Sequence, residues 1–146
     1  MKKILFLLAF IVLGFYGQAQ VLTPIKWSYA SKKLDNKQAL VFVKANLDKG
    51  WHIYSQQVAG PIKTRLNFKK DGSYNLIGKT IEPTPISRYE QLLGMNIQYF
   101  EQSVIFQQKI KLKTTEAAVK GTVNFLVCND KHCLPPDDVE FTIPVK

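Results

Sequence analysis

Two cysteines, Cys128 and Cys133, are separated by Asn129, Asp130, Lys131 and His132, and the pair Pro135-Pro136 follows them closely. Three chemistries compete for this spacing. A structural disulfide would close a loop of only about six residues and contribute about 2 kcal/mol through loop entropy, a weak staple. A zinc site would draw on Cys128, Cys133, His132 and His52. The cysteine spacing suits zinc, but four ligands are needed and an oxidising environment favours the disulfide over two thiolates. A redox-active dithiol would need a thiolate that can form, an accessible sulfur and a second cysteine to resolve the mixed disulfide. Lys131 and His132 would favour the thiolate and Asp130 would oppose it. The spacing differs from the C-x-x-C of a thioredoxin active site, so a thioredoxin-like domain is disfavoured.

The compartment bears on that choice. Lys2 and Lys3 precede an unbroken apolar run from Ile4 to Leu13, and Gly17 and Ala19 occupy the small-residue positions of an export cleavage site. Residues 1–19 therefore read as a cleaved secretion signal, and 20–146 as one domain of 127 residues. The run is too short for a transmembrane helix, and no cysteine follows it to carry a lipid anchor. The mature domain is expected to be soluble and periplasmic, without membrane insertion, where a disulfide can persist.

Over the whole chain 20 Lys and Arg oppose 11 Asp and Glu, a net charge of +9 that falls to +7 once the signal is removed. Such an excess suggests nucleic acid. Yet Lys109, Lys111 and Lys113 alternate along one strand as a solvated face, no long basic run exists, and export separates the chain from cytoplasmic nucleic acid. No nucleic-acid partner is expected. Neither a phosphate-cradling glycine loop nor a histidine–glutamate metalloprotease pattern is present, so no cofactor and no metal are expected.

Short segments of period-two character, punctuated by turn residues, must position the cysteines. Ser103 to Lys113 is the clearest, with Val104, Phe106, Ile110 and Leu112 on one face and Gln107, Lys109, Lys111 and Lys113 on the other. Lys26–Lys32, Ala39–Ala45, Trp51–Ser55, Arg65–Lys69, Gly121–Val127 and Val139–Val145 read as further strands. Thr115 to Val119 reads as no more than a helical turn. Ile81 to Gly94, carrying Pro83, Pro85 and Leu92-Leu93, reads as a long irregular loop. Seven to nine such strands predict an all-β fold, an immunoglobulin-like antiparallel β-sandwich. With cysteines so close together, any bridge is local and does not tie two sheets.

The segment Cys128 to Pro136, together with Trp51-His52-Ile53-Tyr54 after a Lys-Gly turn, resembles the amino-terminal periplasmic domain of the thiol:disulfide interchange protein DsbD. The resemblance runs roughly from Ile25 to Val145. It implies an immunoglobulin-like fold with a redox-active cysteine pair at one end. It further implies Cys133 as the attacking cysteine, Cys128 as the resolving one, and Tyr54 as an aromatic beside them. Glu90, Gln91, Leu92, Leu93 and Gly94 stand where the family keeps a cap loop, with Leu92 and Leu93 as shields, and His132 falls in the same pocket. The family places five residues between its cysteines and aromatics at its cap tip, against four residues and Leu-Leu here.

The implied activity is relay of reducing equivalents. A thioredoxin-like donor acting in trans would reduce the pair, and a periplasmic disulfide isomerase or cytochrome c maturation thiol protein would accept the electrons. The competing expectation is a non-enzymatic binding or scaffold module in which Cys128–Cys133 is a passive bridge.

Overall fold

The computed structural model describes residues 22–90 and 94–146, so the expected signal over 1–19 lies outside the described residues. Eleven strands are present among them: β1 Ile25–Lys33, β2 Gln38–Leu47, β3 His52–Tyr54, β4 Arg65–Phe68, β5 Tyr74–Ile81, β6 Ile86–Glu90, β7 Met95–Glu101, β8 Ser103–Leu112, β9 Ala117–Phe125, β10 Val127–Cys128 and β11 Asp137–Val145. They form three antiparallel sheets. Sheet A has the order β1-β2-β8-β5, sheet B β10-β3-β7-β6, and sheet C β11-β9-β4. The architecture is the expected immunoglobulin-like antiparallel sandwich.

Period-two patterning explains the shared core. Ala39, Val41, Val43 and Ala45 of β2 point the same way as Val104, Phe106, Ile110 and Leu112 of β8, and all are buried. Ile53 of β3 and Phe100 of β7 meet them from sheet B. Val119, Val123, Phe141 and Ile143 meet them from sheet C. One inward position of β8 is polar. Gln108 is buried, and its amide donates to the carbonyls of Ile77 and Lys109 and accepts from Thr80. It thereby satisfies backbone exposed by the irregular register of β5 between Ile77 and Ile81.

Three expectations are corrected. Ile81 to Gly94 is not an irregular loop throughout: Ile81 ends β5, and Ile86–Glu90 is an edge strand paired with β7. Pro83 and Pro85 lie before that strand, where no ladder donor is lost. Gly94, just before β7, has φ 63°, a backbone region that favours glycine. No helical turn forms over Thr115–Val119: β9 begins at Ala117, where Ala117 and Val119 pair with Val145 and Ile143 across the sheet.

Gly121–Val127 was expected to be one strand, and it divides. β9 stops at Phe125 in sheet C, and after Leu126 the chain joins sheet B, where Val127 pairs with Ile53 and Cys128 with His52. The far end of β3 is held by Glu82. Its carboxylate accepts from the Ser55 hydroxyl, the Gln56 backbone N–H at 3.0 Å and the side-chain amides of Gln56 and Gln57, each at 3.2 Å. Ser55 is fully buried, so removing this acceptor strands a hydroxyl without solvent. Glu82→Ala is expected to cost about 1.5–3 kcal/mol, the range for hydrogen bonds to a charged group. The check is a lower urea midpoint at unchanged slope.

Candidate functional site

Sheet B has two unlike faces because successive residues of a strand point to opposite sides. Ile53, Phe100 and Val127 face the shared core. His52, Tyr54, Tyr99 and Cys128 face outward and, with Ile97, make a small second cluster or its margin. The switch at Leu126 is what delivers Cys128 to this face, next to the aromatics of Trp51–Tyr54.

The bridge then closes over four residues. Leu134 N–H donates to Val127 O and Asn129 N–H to His132 O, both at 2.9 Å. The Asn129 side chain accepts from the N–H groups of Lys131 and His132, also at 2.9 Å each, an Asx-type turn that fixes the loop. Cys128 and Cys133 are joined in a disulfide. The two residues differ in access: Cys128 is 1% exposed, whereas Cys133 lies on the surface. A sulfur must be reachable for a partner to attack or be attacked, so only the Cys133 side is open to another protein.

The disulfide lies in an open depression of about 520 Å³ lined by β3, β6 and the cysteine loop. Tyr54 is buried and donates its hydroxyl to Cys128 Sγ at 3.4 Å. Burial raises the Tyr54 phenol above its ordinary pKa; Glu90 adds to this and Arg88 opposes it. The hydroxyl therefore stays protonated and remains a donor at neutral pH. His132 is exposed and sits edge-on to Trp51, with ring centroids 5.5 Å apart. Glu90 reaches the depression from the end of β6. Gln91, Leu92 and Leu93 lie outside the described residues.

Sequence reasoning missed Arg88. Its guanidinium lies 5.2 Å from the centroid of the Tyr99 ring, 3.3 Å from Glu90 Oε2 and 3.9 Å from Asp130 Oδ1. It thus links β6 to the cysteine loop across the depression. Exposed ion pairs of this kind contribute roughly 0–1 kcal/mol, so they orient charge more than they hold the fold. The only sequence signal for it is the juxtaposition Arg88-Tyr89-Glu90 in a strand whose own residues are mostly exposed. His52 is buried against Tyr54 and Tyr99. Among the described residues no group of three or more His, Cys, Asp or Glu side chains is arranged to hold a metal ion.

The unequal access of the two sulfurs has a direct consequence. One equivalent of a thiol-alkylating reagent added to the reduced protein is expected to modify Cys133 and spare Cys128. Peptide mapping of the adduct checks this, and predominant labelling at Cys128 would contradict the geometry.

Residues 15–144 match the family described as thiol:disulfide interchange protein DsbD, N-terminal. Among solved structures, the N-terminal periplasmic domain of ScsB from Proteus mirabilis superposes with a TM-score of 0.60 at 15% identity, over 84% of this chain and 48% of that one. The chain thus spans about half the length of that structure. The reduced DsbD N-terminal domain of Neisseria meningitidis gives a TM-score of 0.54 at 15% identity, covering 79% of this chain and 82% of its own. The complex between the DsbD and PilB N-terminal domains from Neisseria meningitidis gives 0.56 at 14% identity, over 84% and 87%. At such identities the structural likeness is one of fold. No curated protein sequence matches significantly. With nearly the whole strand framework inside the matched span, the chain belongs to the family of DsbD amino-terminal domains.

Proposed function

We propose that this chain relays reducing equivalents through Cys128 and Cys133 from a thioredoxin-like donor, acting in trans, to periplasmic disulfide partners. The observation that carries the reading is the pairing of a surface Cys133 with a buried Cys128 in an open depression. In the reduced state the Cys133 thiolate attacks a partner disulfide. A Cys133–partner bond forms, and the other partner sulfur leaves as a thiolate. Cys128 then attacks Cys133 Sγ and displaces the second partner sulfur. Two electrons reach the partner, which becomes a dithiol while the chain becomes a disulfide. The donor runs the same two steps in reverse.

Acceptors of this chemistry are a disulfide isomerase or a cytochrome c maturation thiol protein. The Neisseria relative solved with the PilB N-terminal domain supports a protein partner at this kind of domain. Export rests on residues 1–19, and the ScsB domain described as periplasmic supports the same compartment. Among the described residues no helix is long and apolar enough to cross a membrane. The segment joining β6 to β7 serves as the cap, with Leu92 and Leu93 as its shields and Glu90 beside the depression at the end of β6.

Four measurements test the reading. A passive bridge has a reduction potential below about −300 mV, whereas an exchanging pair sits above it. Protein recovered from the periplasm is expected to begin at Gln20, as N-terminal sequencing would show. Cys128→Ser should accumulate mixed disulfides with partners through Cys133; accumulation on Cys133→Ser instead would reverse the two roles. For the cap, glycine at both 92 and 93 is expected to speed alkylation of the reduced pair, and an unchanged rate would remove the shielding role.

A further inference from the structure

The outer face of sheet B carries one ionisable ring that the exchange steps above leave idle. His52 stands directly opposite Cys128 in the antiparallel register. Directly opposed residues share a face, with Cβ atoms about 4.5–5.5 Å apart. The residue is 5% exposed, its ring edge-on to Tyr54 at 5.4 Å and tilted against Tyr99 at 5.0 Å between centroids. It also lines the depression that contains the disulfide. Neither ring nitrogen is hydrogen-bonded to another described residue, so a lone pair is available there.

The resolving step creates a need for such a group. While Cys133 is tied up in a mixed disulfide, Cys128 has to attack as a thiolate. An ordinary cysteine thiol loses its proton near pH 8.5, and burial among apolar groups makes that harder. Among the other side chains lining the depression, His132 is exposed and turned edge-on to Trp51, and the rest are poor bases. Tyr54 is itself a proton donor to Cys128. Glu90 is engaged with Arg88, Asp130 is largely in solvent, and Glu101, opposite His52 on β7, is exposed.

We propose that His52 is the base that takes the Cys128 proton as Cys128 resolves the mixed disulfide. The proposal rests on the exchange reading and adds a named proton acceptor to it. The Cys128 S–H proton passes to the unprotonated imidazole nitrogen. The sulfur's electron pair forms the bond to Cys133 Sγ, and the Cys133–partner bond breaks. Its electrons leave on the partner sulfur, and the imidazolium returns its proton to that thiolate or to water in the depression. Burial keeps His52 below its ordinary pKa, and Arg88 adds to this, while Glu101, Asp130 and Glu90 pull the other way. The ring is therefore neutral, and able to accept, at pH 7.

A chromogenic aryl disulfide added to the reduced protein separates the two steps. The first equivalent of coloured thiolate reports attack by Cys133, and the second reports resolution by Cys128. In the wild type the second rate is expected to rise through a midpoint below about 6.5, the ordinary imidazole value, and then to stay level into mildly alkaline solution. In His52→Gln and His52→Tyr the ratio of second to first rate should fall at least about tenfold at pH 7 and recover only as the thiol ionises unaided. Either variant suffices if it folds. A wild-type second step that follows thiol ionisation alone overturns the proposal without any variant, and so does a folded variant that keeps the wild-type profile. Failure of the exchange reading looks different. A reduction potential in the range of a structural disulfide would mark a passive bridge whatever the rate of the second step, and the role of His52 would fall with it.

Discussion

The functional end of this molecule depends on two residues changing sheets. Had β9 continued past Phe125 beside β11, Cys128 would stand in sheet C, away from Trp51–Tyr54. Because the chain crosses at Leu126 and pairs Val127 with Ile53, the next residue is forced onto the outer face beside His52. Strand alternation does the rest: the residue that anchors the crossing points into the core, and the cysteine points out of it. The Asx turn at Asn129 then returns Cys133 to the surface above its partner.

This arrangement gives the two sulfurs different surroundings from one short loop. Cys128 is enclosed by an aromatic wall whose phenol donates to it, while Cys133 meets solvent. Charge is kept to the rim. Arg88 lies over Tyr99 and faces both Glu90 and Asp130, so β6 and the cysteine loop share one set of weak electrostatic contacts. Since each is worth little in water, the rim can rearrange at small cost when another protein approaches. The rigid part of the site is the wall, held by sheet pairing and, beyond Tyr54, by the hydrogen bonds that Ser55, Gln56 and Gln57 make to Glu82.

Much of the framework was legible where one face is dry and the other wet. The alternation of β8 and β11, and the apolar content of β2, survive in the structure because their inner residues reach the common core. β5, β6 and β7 were not legible, for different reasons. β5 is an edge strand with most of its residues exposed, so hydrophobicity carries no period. β6 is also an edge strand, masked by the neighbouring prolines. β7 buries Ile97 and Tyr99 on one face and Phe100 on the other, which erases the alternation altogether.

The amino-acid sequence alone determined that two cysteines form a tight local pair, that they follow a strand, and that the surrounding segments are β-strands of one sandwich. Those conclusions rest on spacing and period, which are properties of neighbouring residues. Only the tertiary structure decided which sulfur is buried, that His52 and Tyr54 flank it, and that Arg88 reaches the cysteine loop. Cys128 and His52 are 76 positions apart, and a shift of one residue in their pairing would turn the ring to the core. Register between distant strands is set by the packing of the whole inner face, and no local pattern encodes it.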